Sequence, residues 1–131
     1  MPKSRKILLL ERPDVGPAFA GLLREAGFEV RYTDTVERAI EIFDKMLVQD
    51  EDVWLVITGA LANVSAGDPA CLPFIDHCVQ ASFTGGIVGM SSIPSFLGRM
   101  RAVGADHLCS DKTELVSFVR SLWEAQNTMH V

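Results

Sequence analysis

The 131-residue chain has no surplus of basic charge, no long apolar run and no paired cysteine spacing, and each absence removes a class of function. Its 12 lysines and arginines are outnumbered by 17 aspartates and glutamates, for a formal net charge of −5. Binding a phosphate backbone requires a clustered cationic face that displaces counterions, so nucleic acid is not expected as a partner. The start, from Met1 to Lys6, is basic, but the apolar run after it, Ile7 to Leu10, is too short for a signal-peptide core or a membrane span. No membrane partner and a cytoplasmic location follow as expectations. Cys71, Cys78 and Cys109 form an odd set without framework spacing, which fits reduced thiols. Cys71, His77 and Cys78 do not make a metal site: neighbours on a helix point about 100° apart, and no fourth ligand stands near. No nucleophile, base and orienting group occur together, so no enzyme activity, catalytic residue or cofactor is expected.

What is present is a composition able to fold. Hydrophobic residues make up 48% and charged residues 22%, enough apolar surface to build a real core. The length suits one domain over residues 1–131, with its ordered core over residues 5–126. No segment repeats.

Lys6-Ile-Leu-Leu-Leu-Glu11 is a continuous apolar run ended by charge and Pro13, the pattern of a strand buried on both faces. Residues 16–26 then place Phe19, Leu22 and Leu23 on one helical face before Gly27. Residues 28–32 alternate as a second strand. Asp34 with Glu37 resembles a capping box for a helix whose inner face is Val36, Ala39, Ile40, Phe43 and Leu47. Val53 to Ile57 reads as a central strand that breaks at Thr58-Gly59, and residues 60–73 as a long, mobile loop. A short helix carrying Phe74, Ile75, Cys78 and Val79 leads to a glycine-rich fourth strand, residues 85–90. Ser92 is placed to cap the next helix, whose stripe is Ile93, Phe96, Leu97 and Met100. Residues 105–109 form a brief fifth strand, with His107 and Cys109 on one face. Asp111 with Glu114 caps a last helix with inner face Leu115, Phe118, Val119 and Leu122, and residues 125–131 are expected to fray. Five strands alternating with five helices make an α/β, doubly wound, parallel sheet.

Lys6-Ile-Leu-Leu-Leu-Glu11, the step Leu23-Arg-Glu-Ala-Gly-Phe28 and Gly104-Ala-Asp-His-Leu108 together resemble the receiver domain of two-component response regulators, the chemotaxis type. The likeness covers nearly the whole chain. It implies a flavodoxin-like sheet of strand order 2-1-3-4-5, with a site at the carboxyl ends of the strands. It implies further that Glu11 and Arg12 stand where the family has two magnesium-holding acids, and that Thr58 stands in place of the phosphoacceptor aspartate. Ser91 matches the family's switch hydroxyl. The family's lysine falls on Asp111, with Lys112 one residue later. A guanidinium in an oxygen-ligand set repels hard divalent cations, and a threonine hydroxyl forms no acyl phosphate.

The resemblance thus implies a degenerate receiver pocket of Glu11, Arg12, Thr58, Ser91, Asp111 and Lys112, without metal. The expected function is a phosphorylation-independent pseudo-receiver, a protein–protein interaction or adaptor module of signal transduction. The expected interaction face is Phe96, Met100, His107, Cys109 and Trp123, available to a protein partner or a second copy through the fourth helix, fifth strand and fifth helix. The alternative is a sensor of a small anion or small ligand, using the pocket residues Arg12, Thr58, Ser91 and Lys112.

Overall fold

The structure, a computed structural model, describes residues 4–61 and 67–128. Its first strand, β1 (Lys6–Leu10), carries four consecutive aliphatic side chains that are fully buried. A strand without a polar face needs cover on both sides. β2 (Glu29–Thr33), β3 (Val53–Gly59), β4 (Gly86–Met90) and β5 (His107–Cys109) join it in one parallel sheet of order β2-β1-β3-β4-β5, the order expected.

The helices divide between the two faces according to the period-two alternation of the strands. α1 (Gly16–Glu25) and α5 (Leu115–Thr128) cover one face, packing Ala20, Leu23, Leu115 and Val119 on Ile7, Leu9, Leu55 and Ile57. α2 (Val36–Val48), α3 (Leu72–Gln80) and α4 (Pro94–Val103) cover the other, packing Phe43, Met46, Phe74, Ile75 and Met100 on Leu8, Leu10 and Val56. Each fully buried aliphatic or Phe side chain contributes about 1.5–3 kcal/mol, against about 0–1 kcal/mol for an exposed ion pair. The two apolar layers therefore carry the fold. Gly104 ends α4 at φ +141°, a backbone state closed to side chains, and a Cβ there would overlap Val79. That close approach lets α4 turn into β5 against α3.

Several local expectations are corrected. The cap of α2 is Thr35, not Asp34: Thr35 is the residue in extended conformation, and its hydroxyl accepts the Arg38 N–H at 3.2 Å. Ser92 does not cap α4; the N-cap is Ile93, whose own N–H donates to Ser91 Oγ at 3.0 Å. Leu22, Leu47, Val79 and Ile93, placed on inner stripes by spacing, are exposed, because each helix buries a narrower stripe than its apolar residues span. Asp111 does cap, though of the 3₁₀ turn Lys112–Glu114 that leads into α5. α5 continues to Thr128 rather than fraying from residue 125; residues 129–131 of the expected frayed tail lie outside the described residues, as do residues 62–66 of the expected long loop. No helix among the described residues is long and apolar enough to cross a membrane.

Candidate functional site

Every strand of this sheet runs in one direction, so the loops leaving their carboxyl ends gather at one edge. Glu11 follows β1, Gly59 closes β3, Ser91 follows β4 and Lys112 follows β5. Glu11 is the chemically unusual member. Its carboxylate is buried, its side chain only 1% exposed, and a buried carboxylate must be hydrogen-bonded or paired. Its Oε1 accepts the Arg12 backbone N–H at 2.9 Å. Its Oε2 lies 3.2 Å from Lys112 Nζ, close enough for an ion pair, but without the alignment of a hydrogen bond, so Oε2 has no hydrogen-bond partner among the described residues.

Room for that carboxylate comes from Gly59. A Cβ built at position 59 would overlap both carboxylate oxygens of Glu11. The strand alternation explains the meeting: Gly59 shares the face of Leu55 and Ile57, and Glu11 the face of Ile7 and Leu9. The register agrees, since Leu10 pairs with Thr58 and the next residues are Glu11 and Gly59. Thr58 has the opposite parity. It is buried beneath α3, its hydroxyl donating to the Gly59 carbonyl at 2.9 Å and hydrogen-bonding the Cys71 thiol. Thr58 is therefore not a pocket residue, contrary to the expectation from the family pattern.

Among the expected pocket residues, Glu11, Arg12, Ser91 and Lys112 line a cleft of about 210 Å³. Asp111 does not line it; the Asp111 carboxylate accepts the Thr113 N–H at 2.9 Å and the Thr113 hydroxyl at 2.6 Å, and these bonds hold it below the usual carboxylate range. Arg12 is half exposed and pairs with Asp14 at 3.5 Å rather than with Glu11. The walls missed by sequence reasoning are Leu61, Met90 and Ile93, together with Phe96, which had been assigned to the interaction face. Leu61 stands out at φ +51°, a left-handed conformation that is rare and strained for leucine. Nothing in the sequence marks it. Tyr32, on the edge strand, donates its hydroxyl to the Glu11 carbonyl at 3.0 Å, and burial, aided by Asp34, Glu11 and Asp14, raises its pKa.

The expected interaction face does not assemble as one surface. Met100 is wholly buried under β4 and Cys109 is buried against α5, so neither can meet a partner. Burial also pushes the Cys109 thiol up. Phe96 and His107 are half-buried, with His107 edge-on to Phe118. Trp123 lies at the opposite end of the sheet. It packs edge-on to Trp54 and Phe28, with the Arg5 guanidinium 4.4 Å from its ring centre, and Trp54 Nε1 donates to Gln126 at 2.6 Å. His77 bridges to Asp44 at 2.7 Å, and Cys71 and Cys78 are core thiols pushed up to about 12 by burial. No group of three His, Cys, Asp or Glu residues among the described residues is arranged to hold a metal ion.

The fold is that of receiver domains. A chemotaxis protein CheY4 from Vibrio cholerae matches with TM-score 0.67 at 17% identity, over 93% of this chain and 98% of that one. A two-component response regulator from Clostridium difficile matches with TM-score 0.69 at 17% identity, over 96% and 98%. A putative response regulator from Chloroflexus aurantiacus matches with TM-score 0.68 at 20% identity, over 93% and 99%. No protein-family model matches the sequence, and no curated protein matches it.

Proposed function

We propose that this chain is a pseudo-receiver: a single-domain, cytoplasmic, non-enzymatic module of two-component-type signalling that works by binding a protein partner without being phosphorylated. The observation that carries the reading is Gly59 beneath the Glu11 carboxylate. Acyl phosphate formation requires a carboxylate nucleophile. At the end of β3 the position directed at the pocket has no side chain, and the carboxylate that fills its space belongs to Glu11, already engaged by Lys112 and the Arg12 N–H. A divalent cation approaching Oε2 would meet the Lys112 ammonium 3.2 Å from the same atom, and like charges that close repel each other. The internal ion pair substitutes for both the phosphoryl group and the metal.

The partner surface in this reading is the half of the molecule around α4 and β5, where Phe96 and His107 are partly exposed and Ile93 is exposed. A second copy of the chain is one partner that this face would accept. The test is titration with magnesium and beryllofluoride or acetyl phosphate, followed by amide chemical shifts. The expected result is no saturable change at residues 59–61, 90–93 and 112. A stoichiometric, magnesium-dependent response there overturns the reading.

A further inference from the structure

We propose that the groove between the carboxyl-terminal ends of α2 and α3 docks a basic segment of a partner protein, an arginine flanked by apolar residues. The groove lies at the amino-terminal end of the sheet, away from the cleft, and is independent of the pseudo-receiver reading.

Two helices end there in the same way. The Glu51 N–H donates to the Met46 carbonyl at 2.9 Å around Asp50, which stands at φ +55°, and the Phe83 N–H donates to the Cys78 carbonyl at 3.2 Å around Ser82, at φ +58°. Each is the closure of a helix by one left-handed residue. The carbonyl ends of both helices thus meet at the groove, and each carries about half a negative charge. Val53, at the start of β3, lies between them, and the groove has a volume of about 380 Å³. That is within the roughly 300–1,000 Å³ of small-molecule sites and has room for an arginine side chain and part of its neighbour.

Charge selects the sign of the occupant. Asp50, Glu51 and Asp52 line the groove, and no lysine, arginine or histidine does. Glu51 is already paired, with Lys6 at 3.2 Å and Arg31 at 3.1 Å on the same oxygen. Asp50 and Asp52 are exposed, and neither carboxylate has a hydrogen bond or ion pair among the described residues. Two uncompensated carboxylates beside two helix ends attract a cation and repel an anion.

Apolar surface selects against a bare ion. Leu47 lines the groove at 39% exposure, and Val48, the next residue, is 86% exposed, the highest value among the exposed large hydrophobics of the described residues. Phe83, half-buried with its ring edge-on to Phe43, forms the opposite wall. Single exposed apolar residues are ordinary, but a group of them beside unpaired acids marks a contact surface. Arginine matches both halves of the groove: its planar guanidinium offers five donors to the carboxylates, and the guanidinium and stem lie flat on an aromatic or aliphatic wall.

Four acetylated and amidated tripeptides, Leu-Arg-Leu, Leu-Gln-Leu, Leu-Glu-Leu and Gly-Arg-Gly, are titrated into the full chain and followed by amide chemical shifts. Leu-Arg-Leu is expected to shift residues 47–53 and 81–84 saturably and to bind about tenfold tighter than Leu-Gln-Leu. Leu-Glu-Leu and Gly-Arg-Gly should also bind more weakly, and the arginine preference should shrink as sodium chloride is raised. Asp50→Asn combined with Asp52→Asn is expected to reduce the arginine preference to about twofold or less while keeping the preference for leucine over glycine. Leu47→Ser combined with Val48→Ser should do the reverse. All four positions are exposed, and asparagine tolerates the left-handed conformation, so both variants keep the circular dichroism spectrum, and unfolding would not produce the crossed pattern. Equal or tighter binding of Leu-Gln-Leu, or no saturable shift by any of the four, overturns the proposal. A different occupant does so too: magnesium alone saturating residues 50–52 more tightly than Leu-Arg-Leu, a dimer in sedimentation that the asparagine variant abolishes, or markedly tighter peptide binding by Lys3→Ala, which would put the chain's own start in the groove. None of these results involves beryllofluoride or a change at residues 59–61, 90–93 and 112, so the pseudo-receiver reading stands or falls separately.

Discussion

The Glu11 carboxylate lies over the Cα of Gly59, in the volume that any side chain at position 59 would occupy. The two positions are thus coupled: the acid is buried because the glycine is small.

Gly59→Ala is therefore expected to destabilise the protein by about 1–3 kcal/mol, the usual cost of forcing a methyl group into a filled interior. In a Glu11→Ala background most of that cost should vanish, leaving a coupling energy of roughly 1 kcal/mol or more. Urea denaturation of the two single variants and the double variant measures it. Additive effects would show that the carboxylate does not fill this space.

Lys112→Met leaves a buried carboxylate without its counter-charge, and the expected loss is roughly 1–3 kcal/mol, held to the lower part of that range because Lys112 is 29% exposed. Arg12→Ala breaks only an exposed pair with Asp14 and should change stability by no more than about 0.5 kcal/mol. Reversal of this order in thermal or urea melts would place the important cation at position 12.

The thiols of Cys71 and Cys78 are pushed up to about 12 by burial, so at pH 8 both stay protonated. A disulfide reagent should label neither in the folded protein and both after unfolding. The linkage has a definite sign: the raised folded value means the neutral thiol is favoured, so its stabilisation is complete below pH 9 and is lost as pH rises from 9 toward 12. The slope is about 1.4 kcal/mol per pH unit for each thiol. Stability that holds constant between pH 9 and 11 would contradict it.

Trp123→Ala should lower stability by about 2–4 kcal/mol, because the ring packs against Phe28, Trp54 and Arg5. With folding restored by lower temperature, capture of a partner should be unchanged, whereas an added charge at Phe96 should abolish it. Loss of capture by a folded Trp123 variant would move the partner surface to the far end of the sheet.

Continuous apolar runs identified β1 and β3 because a strand covered on both faces has no polar positions to alternate, and the turn glycines marked where helices stop. The site was less legible. The family resemblance puts Thr58, at the break of the third strand, in the place of the phosphoacceptor, yet counting by twos from Leu55 and Ile57 reaches 59, on the face of Glu11. A glycine offers no functional group to search for, so the position was overlooked. Trp123 was grouped with His107 by its place on α5, but a helix rises about 1.5 Å per residue, and eight residues beyond Leu115 it has travelled the depth of the sheet. Met100 was on the inner stripe by spacing, and burial follows from that same spacing. The ion pair of Glu11 with Lys112 joins segments about a hundred residues apart, which no local pattern encodes.

Trp54 and Trp123, the chain's two tryptophans, have ring centres 5.3 Å apart at the amino-terminal end of the sheet, far from the cleft. Their emission consequently reports whether α5 remains seated beneath the strands, and a ligand captured at the other end would leave it silent. An optical assay for occupancy needs a new fluorophore near the cleft, while the native pair serves as the internal gauge of whether the fold is intact.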